Sequence, residues 1–222
     1  MNIAFAGGGT GGHVFPIKSI IDYIKKDNKI TSEFENIYWF GEKNSLEEKI
    51  ANDISNVKFI KMISGKLRRD KSIISFAKNI IDLFKFGYGI TKSIFLLKKY
   101  KIDVVFCKGG YVALPVVIAS KILRKKVFVH ESDTVAGLTN RIANKFSNKS
   151  YTGFPKSLKG GQHIGQILSE NILNFNNLDK FDTSLTGELD SNFNKKTNIL
   201  IVGGSQGSKN NLGKYYYHNR KK

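Results

Sequence analysis

The sequence predicts a doubly wound α/β fold, a parallel sheet with helices on both faces, followed by the start of a second sheet of the same kind. Three observations predict it. Short apolar runs alternate with longer helical patterns from Ile3 to Thr152, the order that βαβ units produce. Glycine-rich or polar loops follow three of these runs, on the edge where such sheets take ligands. A late apolar run, Ile199–Val202, again leads into glycines and Ser205, as the opening run does.

Ile3–Ala6 is an apolar run bounded by glycine, the pattern of a buried strand. It leads into GGGTGGHVFP, Gly7 to Pro16, where five glycines occupy six positions and His13 follows at once. Val14, Ile17, Ile20, Ile21 and Ile24 then recur at helical spacing, with Pro16 near the first turn, where proline is tolerated. The glycines therefore sit on a strand-to-helix turn, free to take positive φ and to offer amides to an anion. A plain tight turn is the alternative, against which the threonine and histidine favour a functional loop. The pattern is neither a P-loop, having no GK[ST], nor a clean GxGxxG fingerprint, because Thr10 interrupts it.

Ile37–Phe40 and Lys58–Met62 read as the next strands, with a helix over Ser45–Asp53 between them. A long helical pattern, Ser72–Lys99, precedes the strand Val104–Phe106. Pro115–Leu123 is a helix, Val127–His130 a strand, Thr139–Ser147 a helix and Lys149–Thr152 a strand. This order brings the loops Gly7–His13, Lys108–Tyr111 and His130–Asp133 to one sheet edge. From Lys159 to Lys196 the periodicity weakens and Asn, Asp and Lys dominate, which predicts an interdomain connection. The expected divisions are 1–160, 161–196 and 197–222.

Composition narrows the partners. The 222 residues carry a net charge of +18, which calls for nucleic acid, an anionic membrane surface or a phosphorylated substrate. Between Lys61 and Lys101 eleven Lys or Arg stand against two acidic residues, a surplus of nine and half of the total. Ile80, Ile81, Phe84 and Phe95 are interleaved with them. That mixture describes an interfacial helix better than a nucleic-acid face, while a buried helix with solvated lysines stays open. No helix-turn-helix, zinc-finger or aromatic RNA-binding motif is recognisable, so nucleic acid is not an expected partner. The lone Cys107 excludes an intramolecular disulfide and a multi-cysteine zinc site, and reads as a small core residue. No run is long and apolar enough to span a bilayer, and the first strand starts at once without a signal peptide, so a cytoplasmic location is expected.

Four motifs in order, GGGTGGHVFP, FCKGGYVALP, VHESDTVAGLTNRIANKFSNKSYTGFP and ILIVGGSQGSKN, resemble the MurG family, the transferases that add N-acetylglucosamine to lipid I in peptidoglycan assembly. The resemblance runs from Met1 to about Asn210. It implies the two-domain GT-B fold, with a C-terminal domain that holds most of the UDP-sugar site. The N-terminal domain would bind the lipid-linked acceptor, and the protein would sit peripherally on the cytoplasmic face of the membrane. UDP-N-acetylglucosamine and lipid I are the implied substrates, with no cofactor and no metal.

The same resemblance assigns residues. His13 matches the histidine proposed as general base for the acceptor 4-hydroxyl, a role suited to an imidazole that titrates near neutral pH. Capping or packing at the helix start is its alternative. Thr10, Gly11 and Gly12 match a donor-contacting triplet. Lys108, Gly109, Gly110 and Tyr111 match a second glycine loop, where Lys108 offers a cation to the acceptor phosphate. Glu131 falls on the acceptor side of the next loop. Asp133 stands where some members place a donor-contacting Asn, with helix N-cap or turn as its alternative. Ser205 and Gln206 match a serine near the donor diphosphate.

The sequence also departs from the family. Gly165–Ser169 stands where relatives carry a GNPVR-like hinge segment, and the tail after Asn210 does not resemble them. Most of the C-terminal domain is expected to be missing, through truncation or a frameshift, or else supplied as a separately encoded half. The chain by itself is then expected to be negligibly active, or a catalytically silent lipid-diphosphate-binding half. A nucleotide-dependent oxidoreductase shares the sheet but needs an acidic residue about twenty positions beyond the glycine loop. Asp27 is near that spacing, but lies in the polar run KKDNK rather than at a strand end.

Overall fold

The computed structural model describes residues 1–65 and 73–173, with backbone alone for 73–78. The expected strand Ile199–Val202, Ser205, Gln206 and most of the 161–196 segment lie outside the described residues. The chain divides into two compact units, Met1–Ser169 and Glu170–Lys222.

The first unit is built on a seven-stranded sheet whose six strand pairings are all parallel. Its strands are β1 (Asn2–Gly7), β2 (Asn36–Glu42), β3 (Val57–Met62), β4 (Val104–Gly109), β5 (Lys126–Glu131), β6 (Lys149–Thr152) and β7 (Gln162–His163). They lie in the order β3-β2-β1-β4-β5-β6-β7. Between them run α1 (Gly11–Lys26), α2 (Asn28–Glu33), α3 (Leu46–Asp53), α4 (Ile73–Lys99), α5 (Ala113–Ile122) and α6 (Leu138–Asn144). A short α7 (Glu170–Leu173) opens the second unit. The doubly wound expectation therefore holds, and every strand expected up to Thr152 is present.

Alternation along the strands divides the core into two layers. Phe5 and Trp39 point to the layer of α1 and α3, where they meet Val14, Ile17, Ile21 and Ala51. Ala4, Ala6, Tyr38 and Phe40 point to the other, against Leu96, Leu97, Val116 and Ala143 from α4, α5 and α6. Successive side chains on a strand face opposite ways, so one apolar run serves both layers. Cys107 is fully buried in the second layer, and burial pushes its thiol up to about 12. It is inert packing, as expected.

Three local readings change. α1 begins at Gly11, so Pro16 lies beyond the first turn, inside the helix. The reason is Thr10, whose extended backbone makes it the N-cap and whose carbonyl accepts from His13 N and Val14 N, each at 3.1 Å. A second change is a helix at Asp27, in the polar run KKDNK. The Asp27 carboxylate accepts from the Lys29 and Ile30 amides and caps the unforeseen helix α2. The two-residue strand β7 continues the sheet within the stretch read as a connection, where two residues are too few to leave a periodic signal.

Candidate functional site

β1 pairs with β2 on one side and β4 on the other, so the sheet changes winding direction at the β1/β4 seam. At the carboxyl end of such a seam the outgoing loops part and leave a crevice. The register slips there by one residue, pairing Gly7 with Gly109. The first and second glycine loops meet directly at this point. A Cβ on Gly110 would come within 2.5 Å of the Gly8 carbonyl oxygen, and both Gly109 and Gly110 have positive φ (+115° and +87°). Only glycine fits twice over, in conformation and in space.

His13 stands in the first turn of α1, half-buried over this junction. Its Nδ1 lies 3.0 Å from the Gly8 carbonyl oxygen and 3.2 Å from Thr10 Oγ1. A carbonyl only accepts, so the Nδ1 carries the proton and Nε2 keeps the lone pair. Nε2 faces Gly109, where a Cβ would sit 3.1 Å away. Burial, with help from the Lys108 cation, lowers the imidazole pKa below its ordinary value despite the Gly8 bond and the carboxylates of Glu131 and Asp133. At neutral pH this is a neutral histidine with one available basic nitrogen.

Lys108 is almost fully buried, and its Nζ donates to Ser132 Oγ at 2.6 Å. Burial pushes its pKa down to about 8, against the attraction of Glu131 and Asp133. Glu131 is buried too. One oxygen accepts from Asp133 N at 2.9 Å, the other from Gly137 N and Asn140 Nδ2, each at 3.0 Å. Its carboxylate thus closes the 131–137 loop onto α6. Asp133 is exposed on that loop. Tyr111 is half-buried and its hydroxyl donates to Glu42 at the end of β2. Gly11 is buried and Gly12 exposed at the N-terminus of α1, with Thr10 half-buried beside them. Of the loop amides expected to face an anion, Gly9 N instead donates to Glu47 Oε2 at 3.3 Å.

All ten expected site residues within the described stretch thus gather at one edge, while Ser205 and Gln206 lie outside it. Sequence reasoning gave no role to Glu42, Glu47 or Asn140. No motif marks Glu42 or Glu47, because each acts on a loop distant in sequence, whereas Ser132 and Asn140 lie inside the third motif, whose pattern does not show what their side chains bond. Beside Tyr111 opens an apolar cleft of about 330 Å³, lined by Leu83 and Phe86 of α4, Leu114 of α5, and Leu138 and Ile142 of α6.

A doubly wound domain with two interlocked glycine loops and a neutral histidine at its switch point belongs to the class of α/β folds whose crevice lies at the carboxyl ends of the strands. The chain belongs to glycosyltransferase family 28, whose N-terminal domain model matches residues 3–152. It is similar to a protein of Borreliella afzelii named UDP-N-acetylglucosamine–N-acetylmuramyl-(pentapeptide) pyrophosphoryl-undecaprenol N-acetylglucosamine transferase, 42% identical over 219 residues. That match covers 95% of this chain and 56% of the relative. A Streptococcus thermophilus protein of the same name is 38% identical, covering 93% of this chain and 55% of its own length. The chain therefore spans a little over half the length of these curated relatives. In fold it is similar to the crystal structure of Acinetobacter baumannii MurG, with a TM-score of 0.55 at 24% identity over 73% of this chain and 44% of that one.

Proposed function

We propose that residues 1–169 form the acceptor side of a site that transfers N-acetylglucosamine from UDP-N-acetylglucosamine to lipid I, an undecaprenyl-diphosphate-linked muramoyl peptide. The observation that carries the reading is His13, a neutral imidazole whose Nε2 lone pair is presented where the two glycine loops meet. In the proposed step the acceptor 4-hydroxyl oxygen forms a bond to the anomeric carbon as the bond to UDP breaks. Nε2 takes the hydroxyl proton, UDP leaves with the electron pair, and the configuration inverts. A base that must act near neutral pH gains from a lowered pKa, because it is then unprotonated when substrate arrives.

The other residues fall into two groups. The α1 N-terminus, with Thr10, Gly11 and Gly12, offers backbone amides and the positive end of the helix dipole to a phosphate. Gly109 and Gly110 supply close backbone approach on the other side, and exposed Asp133 is placed to accept from a sugar hydroxyl. Lys108 and Glu131 are buried and already bonded, so their part is to hold the loops and set the local field. The cleft beside Tyr111 adds apolar surface next to this polar mouth, which suits an amphiphile such as a polyprenyl diphosphate.

The same reading places the protein peripherally on the cytoplasmic membrane face. Among the described residues no helix is long and apolar enough to cross a membrane. α4 nevertheless exposes Ile80, Ile81, Leu83, Phe84 and Tyr88 beside Lys85, a face suited to an anionic lipid surface.

A chimera tests the reading. Residues 1–169 replace the matching segment of the Borreliella afzelii relative, and transfer of labelled N-acetylglucosamine to a lipid I analogue is measured. Transfer is expected, and His13→Ala should lower turnover by about 10² to 10⁴ with donor KM little changed. A folded chimera that binds donor yet transfers equally well without the imidazole would overturn the assignment.

A further inference from the structure

We propose that Glu47 is a positioning residue for His13, fixing the Gly8–Gly9 peptide plane and through it the imidazole tautomer. The inference rests on the reading of His13 as the base.

Glu47 sits in the first turn of α3 and is fully buried. A buried carboxylate is costly unless it is hydrogen-bonded, and α3 does not need this one for its cap. Ser45 Oγ already accepts from Glu48 N at 3.2 Å, and the Glu48 carboxylate accepts from Asn44 N at 2.5 Å. Glu47 points away from the helix instead. Its Oε1 accepts from Glu42 N at 3.1 Å and its Oε2 from Gly9 N at 3.3 Å, tying the end of β2 to the first glycine loop. Room is left for it on both sides. A Cβ on Gly8 would overlap the carboxylate, and one on Gly41 would come within 2.6 Å of Glu47 Cγ.

The Gly8 carbonyl and the Gly9 N–H belong to one peptide unit. The N–H donates to Glu47, and the carbonyl on the opposite side accepts the Nδ1 proton of His13. Carboxylate, peptide and imidazole form a chain in which the negative charge polarises the amide and strengthens its carbonyl as an acceptor. Orientation matters more than strength. A peptide between two glycines can turn over at little steric cost, since neither residue has a Cβ to resist it. Turned over, it would present N–H to His13 Nδ1. The imidazole would then hold its proton on Nε2, and the nitrogen facing the crevice would no longer be a base. Glu47, an acceptor only, stabilises the productive orientation and disfavours the other.

Imidazole ¹⁵N shifts and glycine amide exchange in the whole 222-residue chain test this without any sugar transfer. In the wild type, the neutral His13 should carry its proton on Nδ1, and the Gly9 amide should be protected although Gly9 is exposed. Glu47→Gln keeps the shape but turns one of its two acceptors into a donor. It should mix the two tautomers of His13 and speed Gly9 exchange about tenfold, while the ¹⁵N shifts of buried His130 stay put. A general loosening would move both histidines. A wild-type His13 protonated on Nε2 overturns the proposal, as does a Glu47→Gln variant with unchanged His13 tautomer and Gly9 exchange. If Glu47→Gln fails to fold, the wild-type tautomer and Gly9 protection decide alone. An inactive chimera with the tautomer result intact would remove the catalytic reading and leave the positioning chain standing.

Discussion

His130 shows how a single buried group sets the acid limb of stability. It lies at the end of β5, fully buried, with Nε2 3.1 Å from the Gly165 carbonyl oxygen. That carbonyl needs a donor, so the neutral ring carries its proton on Nε2, and Nδ1 is left without a partner among the described residues. Burial, aided by the Lys108 cation, pushes the pKa down to about 4, against 6.5 ordinarily. As pH falls from 6.5 towards 4, the unfolded chain takes up a proton that the folded chain refuses. Stability is then lost over that window, by 2 to 3 kcal/mol in order of magnitude. His13, also lowered, acts in the same sense. Lys108 acts at the other end. Its folded value of about 8 lies below the ordinary 10.5, so stability rises as pH climbs between them. Urea midpoints should fall between pH 6.5 and 4.5, and His130→Gln, which keeps a donor for Gly165, should flatten much of that slope. An unchanged slope in the variant would assign the limb to other groups.

At the scale of elements, α4 carries a feature of each of the two readings that its composition left open. Asp82, Gly89, Ser93, Leu96 and Leu97 recur at helical spacing on its buried face. Leu83 and Phe84 stand on the other face, 68% and 76% exposed. It is both a packed helix and an apolar, basic surface. Leu83→Asp with Phe84→Asp should abolish co-sedimentation with anionic vesicles and change the melting temperature little, since both side chains are largely exposed in the free protein. Lys85→Glu should weaken binding by about 1 to 2 kcal/mol at low salt, with a smaller effect at high salt. Vesicle binding that ignores both changes would remove α4 from the membrane contact.

At the scale of the folded unit, the sheet does not end with β6. β7 adds to it, and Gly165 beyond β7 accepts from His130. Gln166 Nε2 likewise donates to the Ser132 carbonyl at 2.8 Å. A fragment ending at Ser169 should unfold in one cooperative transition by circular dichroism and fluorescence. One ending at Gly160 loses the acceptor for a buried imidazole N–H, and should be less stable by about 1 to 3 kcal/mol. Equal midpoints for the two fragments would show that the 161–169 segment adds nothing to the core.

The sequence by itself determined the layers and the loops. Runs such as Ile3–Ala6 and Ile37–Phe40 are apolar on both faces, which only a sheet covered twice can satisfy. The crowded glycines before His13 also marked a loop at the ligand-facing edge of the sheet, because backbone freedom of that kind is written locally. Tertiary structure decided the rest. Whether Thr10 or a later residue starts α1 depends on where β1 delivers the chain. β7 exists only because β6 offers it an edge. Glu47 and Glu42 reach the site from elements that nothing in their spacing connects to it. The tautomer of His13 depends on which way one glycine peptide faces, and that is set by a carboxylate brought in by the packing of α3. Periodicity reports what each segment buries, whereas the bonds that orient a base are made between segments, and appear only once the chain has folded.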